Sequence, residues 1–227
     1  MIGDLKLGFK LLKYSLQFKM SVIVAAIFMV MGLIFDMMSF SIISPVLSVY
    51  YLFGMVFASQ MISSLNASQM VQSSPYKKRL QTRIITSVCV FIEFVSITIM
   101  LVIKAVQYYH MGHMQEHVIE SVLMVSGCIL IFNLYMITAT KFYWSATGLF
   151  IVAFTGFFYS IMRRQYSAIF QGGETKNILP QIPFPAAVGI CYGAILLGGI
   201  LMYVISNLLY KREYSKMMFK AALERAK

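Results

Sequence analysis

Apolar runs about as long as a bilayer crossing recur along the whole chain, and that recurrence constrains the fold more than any motif does. Six runs read as spans, at residues 20–36, 45–62, 84–106, 118–139, 142–162 and 186–209. A helix needs about 20 predominantly apolar residues to cross the hydrocarbon core. In lipid it also satisfies every backbone amide and carbonyl internally. Composition points the same way, since 59% of the 227 residues are apolar and 12% are charged, against roughly 25% charged in an ordinary soluble domain. A chain of this length has too small an interior to hide that much apolar surface, so lipid must cover part of it. The expected fold is one all-α integral membrane domain over residues 1–227.

Residues 1–18 read differently. Ile2, Leu5, Phe9, Leu12 and Leu16 recur at spacings of 3, 4, 3 and 4, with Lys6, Lys10 and Lys13 in the same rhythm on the flank. That pattern predicts an N-terminal interfacial amphipathic helix, its lysine stems along the acyl boundary and their charges among headgroups. The long apolar run that follows, with no evident small-residue cleavage site, reads against a cleaved signal peptide.

Charge sets the expected orientation. The chain carries 19 Lys and Arg against 8 Asp and Glu, a net +11. In a soluble protein that excess would suggest nucleic acid. Here the basic residues sit in short segments between apolar runs, which points to membrane orientation and anionic lipid, and no nucleic acid partner is expected. With the N-terminus in the cytoplasm, every Lys and Arg except Lys104, Arg163, Arg164 and Lys176 falls on that side. Six spans with both termini cytoplasmic follow from that bias. Arg163 and Arg164 are discordant, but moving them inside would leave residues 118–162 as a single span, too long for a bilayer. They are expected in an outer loop, 163–185, at the membrane edge. Cys89, Cys128 and Cys191 all lie in apolar runs without a CxxC pair and read as small buried hydrophobes.

The cytoplasmic segment 63–83 is the most informative polar stretch. Just before the third span it reads Ser74, Pro75, Tyr76, Lys77, Lys78, Arg79, then Arg83. Serine as a cap, proline in the first turn and basic residues after it predict a short helix offering a rigid charged knob to a partner. The bland alternative is an ordinary positive-inside loop. The interfacial helix, the six spans, the chain length and this Pro-x-basic-basic turn together resemble the ABC-2 type permease family, the membrane subunits of ABC exporters. Ser74 stands where the family usually has leucine, and no acidic residue follows the basic run. The resemblance implies that the segment 74–83 contacts a separate ATPase, and that the outer loop contains short helices dipping toward the membrane. It implies two ATPase subunits holding ATP and Mg, a second permease copy or a sister permease, and a multi-pass place in the cell membrane of a bacterium.

Glu93, inside the third span, is costly to bury and is a functional candidate by default. It could line a polar cavity, pair with Lys104, bond to Asn133 of the fourth span, or reach water beside Arg79 or Arg83. All three histidines fall between spans three and four. If that stretch is helical, His110, His113, His117 and Glu120 share a face, with Met111 and Met114 nearby as soft donors. The plainer reading is a wet interfacial turn, since no ligand set inside the spans would carry a metal through. Gly189, Gly193 and Gly198 in the sixth run, with Ala194 and Gly199, have the spacing of close helix packing, within the chain or at a dimer seam.

No Gly-x-x-x-x-Gly-Lys-Ser/Thr loop, His-Glu-x-x-His or Gly-x-Ser-x-Gly occurs, and the soluble parts are too short for a catalytic domain. The expected function is therefore non-enzymatic, without a cofactor in this chain; the resemblance implies the permease subunit of an exporter, and the apolar chain suits amphipathic or apolar cargo, a peptide or a lipid. The rivals are a metal-ion transporter or sensor centred on the histidine face, and a non-transporting scaffold subunit.

Overall fold

In the computed structural model, which describes residues 2–14, 18–37, 48–66, 71, 73–110, 115–170, 182–213 and 215, every regular element among the described residues is helical. In chain order these are α1 (Ile2–Lys13), α2 (Phe18–Met37), a 3-10 turn (Ser48–Leu52) leading into α3 (Phe53–Asn66), α4 (Lys77–His110), α5 (Gln115–Ala139), α6 (Tyr143–Phe170) and α7 (Phe184–Leu209). Four helical stretches, Phe18–Asp36 of α2 with α4, α5 and α7, are long and apolar enough to cross a membrane. That is the signature of a membrane-embedded chain.

Several boundaries differ from the sequence reading. The third run begins as helix at Lys77, not at residue 84, and ends at His110, not 106. Lysine and arginine are good helix formers whose charges stay in water, so polarity did not end the helix. Nor does the fifth run stop at residue 162: the backbone of α6 is helical to Phe170, through positions 163 and 164. The second run is helical from Ser48 to Asn66 and changes from 3-10 to α geometry on the way. Residues 67–70, 171–181 and 216–227 of the cytoplasmic segment, outer loop and tail lie outside the described residues.

α5 and α7 make the most extensive contact. Small residues on α7, among them Ala187, Cys191, Ala194 and Gly198, are buried and let the backbones approach. In lipid, where burial from water does not drive helices together, such close packing is the main source of attraction. Pro183 is extended before α7 and Pro185 occupies its first turn, where a missing N–H costs nothing. Phe184 then stacks on Tyr108 at 4.8 Å, fixing the start of α7 against the last turn of α4. At the other end Ser215 N donates to Thr140 O at 3.2 Å, tying the chain beyond α7 to the α5–α6 turn. So α7 runs parallel to α5 and antiparallel to α4.

α1 docks on α3 and the start of α4. Its line against the bundle includes Leu12 of the apolar stripe, with Leu5 packed beside it. Asp4, Gly8 and Leu12 face inward, while Phe9 is 40% exposed and only edges against Phe91 at 5.6 Å. Gly8 explains the rotation, because a Cβ there would lie 2.3 Å from Val88 Cγ2. The absence of a side chain lets the two backbones meet.

Candidate functional site

The basic turn before α4 sits at one end of the bundle. Ser74 Oγ accepts from Tyr76 N at 3.2 Å, and Lys77 N donates to Ser74 O at 3.1 Å. The serine therefore caps a tight turn through Pro75, and the helix starts after it with no side-chain cap of its own. From Leu80 to Ile84 the helix widens to a π turn, a local loosening that recurs at functional positions. The buried Asn66 side chain, at the end of α3, donates to Leu80 O at 3.5 Å, supplying a partner to a carbonyl of the widened turn.

This turn is braced from three sides. Arg79 Nε and Nη2 each lie 2.7 Å from Asp4 Oδ1, joining the turn to α1. Lys78 Nζ lies 5.0 Å from the centre of the Tyr210 ring, just past α7. Lys141, in the α5–α6 turn, donates to Arg212 O at 2.6 Å and to Gln81 Oε1 at 3.4 Å. Burial, and then the charge of Lys77, lowers the Lys141 ammonium from its ordinary 10.5 to about 8. Arg212 stands over the Phe142 ring at 4.8 Å. Tyr76, Lys78, Arg79 and Arg83 remain exposed. The result is a cationic surface on a braced base.

A second polar group lies within the bundle. Glu93 of α4 is fully buried, and Asn133 Nδ2 of α5 donates to Oε1 and Oε2, both at 3.2 Å. Among the partners considered for Glu93, Asn133 is the one beside it; Lys104 and Arg79 are bonded to aspartates instead. Gly198 of α7 closes the site, since a Cβ there would stand 2.4 Å from Asn133 Nδ2. Thus α4, α5 and α7 meet at one carboxylate–amide pair.

The far end holds a pair that sequence reasoning missed. Lys104 Nζ donates to Asp36 Oδ1 at 2.9 Å, and both side chains are 0% exposed. Ser48 Oγ donates to the same oxygen at 3.1 Å, and Gln107 Nε2 donates to Asp36 O. The Tyr51 hydroxyl lies beside the carboxylate but outside hydrogen-bonding geometry with it. By sequence, Asp36 is the last residue of the first apolar run and Lys104 one of four basic residues off the cytoplasmic side. The available signal was their opposite charge, each set within an apolar window.

The remaining candidates are scattered. Among the described residues, nothing stands within 4 Å of where a Cβ would be at Gly189 or Gly193. His110 is exposed, and His117 Nδ1 lies 3.8 Å from Glu120 Oε2. His113 is outside the described residues, among which no three His, Cys, Asp or Glu side chains gather as a metal site. A scan against protein-family models, a search of curated proteins and a search of solved structures each found no match.

Proposed function

We propose that the chain is the transmembrane permease subunit of an ABC-type exporter, with six spans, both termini in the cytoplasm, and the bacterial cell membrane as its location. The helical segments α2, Ser48–Asn66, α4, α5, α6 and α7 would supply the six spans. The observation that carries the reading is the basic turn before α4: exposed at Lys78 and Arg79, braced by α1 and the chain beyond α7, and continuous with a 34-residue helix. A rigid charged element joined to a membrane helix can receive a push and convey it.

Two separate ATPase subunits, holding ATP and Mg, dock on this turn, and a second copy of the chain or a sister permease completes the pathway. Closure of the ATPases moves the turn, α4 moves with it, and Asp4 carries α1 along through Arg79. The π turn supplies the local give. Glu93, Asn133 and Gly198 lie where α4, α5 and α7 would slide past one another. Differential affinity of the ATPases for the two arrangements supplies the free energy. The cargo is amphipathic or apolar, a peptide or a lipid, as suits a chain so rich in apolar surface.

The test is affinity purification of the tagged chain in mild detergent, alongside Lys77→Ala/Lys78→Ala, which leaves Asp4–Arg79 intact. An ATPase recovered with the native chain and lost with the variant supports the reading. Absence of any ATPase across several gentle detergents removes it.

A further inference from the structure

We propose that α1 senses membrane surface charge: Lys6, Lys10 and Lys13 bind anionic phospholipid headgroups, and the Asp4–Arg79 pair passes that hold to the basic turn before α4. The proposal is independent of the transport reading, because neither the binding nor its effect on the turn needs an ATPase.

The rotation of α1 is fixed by what it buries. Asp4, Gly8 and Leu12 form a line at spacing 4, with Gly8 pressed on Val88 and Leu12 only 3% exposed. Lys6 and Lys10 each follow that line by two residues, a rotation of about 200° on a helix. Lys13 continues their row. The three lysines are exposed and point away from the bundle. Turning them toward the bundle would require Gly8 to leave its contact with Val88.

Depth is constrained as well. Lys19 is exposed near the start of α2, so α1 ends a few residues before a membrane-length apolar helix. Tyr14, 77% exposed, follows α1, and Trp144, 69% exposed, opens α6 beside the Lys141 turn. Tyrosine and tryptophan concentrate at the membrane–water boundary. A cationic row at that level faces headgroups, and phospholipid anions match it in sign. Each lysine close to an anionic surface favours the bound state on the order of fivefold, so three in a row make a strong preference out of individually weak contacts.

What links this row to the rest of the chain is Asp4. It lies on the inward face of the same helix and accepts both Arg79 contacts at 2.7 Å. Arg79 follows Lys77 and Lys78 and precedes the π turn. Holding α1 on the membrane plane therefore restrains the exposed basic turn, and releasing it lets the turn move about the widened helix.

Two spin labels read the two halves of the proposal, one at Tyr14→Cys beside the lysine row and one at Tyr76→Cys on the basic turn. The native cysteines are buried and stay unlabelled. The full chain is placed in nanodiscs of phosphatidylcholine, or of an equal mixture of phosphatidylcholine and phosphatidylglycerol. Both labels should lose mobility in the anionic discs. Lys6→Gln/Lys10→Gln/Lys13→Gln, at exposed positions that leave the fold alone, should abolish both responses. Asp4→Asn should keep the response at residue 14 and lose it at residue 76. An unchanged lipid response in the triple variant overturns the binding site, and an unchanged response at residue 76 in Asp4→Asn overturns the link. Inorganic phosphate added to phosphatidylcholine discs should immobilise neither label; if it does, the site is not one for a membrane surface.

Discussion

Two aspartates anchor ion pairs at opposite ends of the molecule, and their surroundings differ sharply. Asp36–Lys104 has both side chains at 0% exposure; Ser48 donates to the same carboxylate oxygen as Lys104, and Gln107 to the Asp36 backbone carbonyl. Asp4–Arg79 has an acceptor at 11% and a donor at 47% exposure, on a surface crowded with other cations. At the far end, water has been replaced by protein groups and the pair has few alternatives. At the basic end, water remains an available partner, so the pair can break at small cost. The first is suited to holding α2 on α4, the second to a junction that moves.

The largest effect that follows is at the far end. Lys104→Met alone should destabilise the chain by about 3–5 kcal/mol, because it leaves the Asp36 carboxylate buried without its cation. Asp36→Leu/Lys104→Met, apolar on both sides and similar in volume, should be nearly neutral or stabilising. Thermal unfolding of the detergent-purified variants, followed by Trp144 fluorescence, separates the two. A single variant as stable as the native chain would mean that the pair is wetter than its burial implies, and the contrast between the ends would fail.

Next in size are two glycine contacts, one on the helix that carries Asp4 and one beside the Glu93–Asn133 pair. Gly8→Ala would drive a methyl to 2.3 Å from Val88 Cγ2, and Gly198→Ala would drive one to 2.4 Å from Asn133 Nδ2. Each should cost about 1–3 kcal/mol, the usual range for overpacking. Gly189→Ala and Gly193→Ala meet nothing within 4 Å and serve as internal controls. Removing glycine's backbone freedom from a helix should leave them neutral or stabilised by up to about 1 kcal/mol. If all four variants behaved alike, the distinction between inward and outward glycines would be lost.

Those glycines mark where the sequence was legible and where it was not. Small-residue spacing announced that α7 packs closely, but Gly189, Gly193 and Gly198 carry the same spacing signal while only Gly198 touches another helix. Spacing selects a face within one helix and is silent on which neighbour covers it. The all-helical, membrane-embedded character was readable, because apolar run length is a local property; of the six runs read as spans, four are helices long and apolar enough to cross among the described residues. The helix at Lys77, Lys78 and Arg79 was legible from the Ser-Pro turn before it, whereas the end of α6 at Phe170 was not, since polar residues continue a helix as readily as they leave one. Asp36 and Lys104 are 68 residues apart and join only through tertiary packing. Glu93 could be flagged from cost alone, whereas the choice of Asn133 over Lys104 depended on helix rotation, which one sequence does not fix.

At the basic end, the Asp4–Arg79 pair should prove nearly dispensable for stability. Asp4→Asn keeps the shape and removes the charge, and a pair whose arginine is about half exposed contributes on the order of 1 kcal/mol. The same unfolding assay should show a small loss that shrinks further with added salt, since exposed charges are screened. A loss as large as that of Lys104→Met would show Asp4–Arg79 to be a structural brace, equivalent to the far pair, and not a movable junction.

The smallest effect is a pH dependence at Lys141. Its ammonium is lowered to about 8 in the folded chain from an ordinary 10.5. Below about 8 folded and unfolded chains both hold the proton, and the contribution is flat. From about 8 to 10.5 the unfolded chain holds more protons than the folded one, so stability gains from rising pH. Tyrosine ionisation falls in part of that range, so the informative quantity is the difference between the native chain and Lys141→Gln. That difference should shift in favour of the native chain as pH rises, by a small amount because the side chain is partly solvated. A shift in the opposite direction would mean that Lys141 is held by a strong anionic partner in the folded state. The cationic surface would then be partly neutralised from within, and the contrast between a movable basic end and a locked far end would narrow.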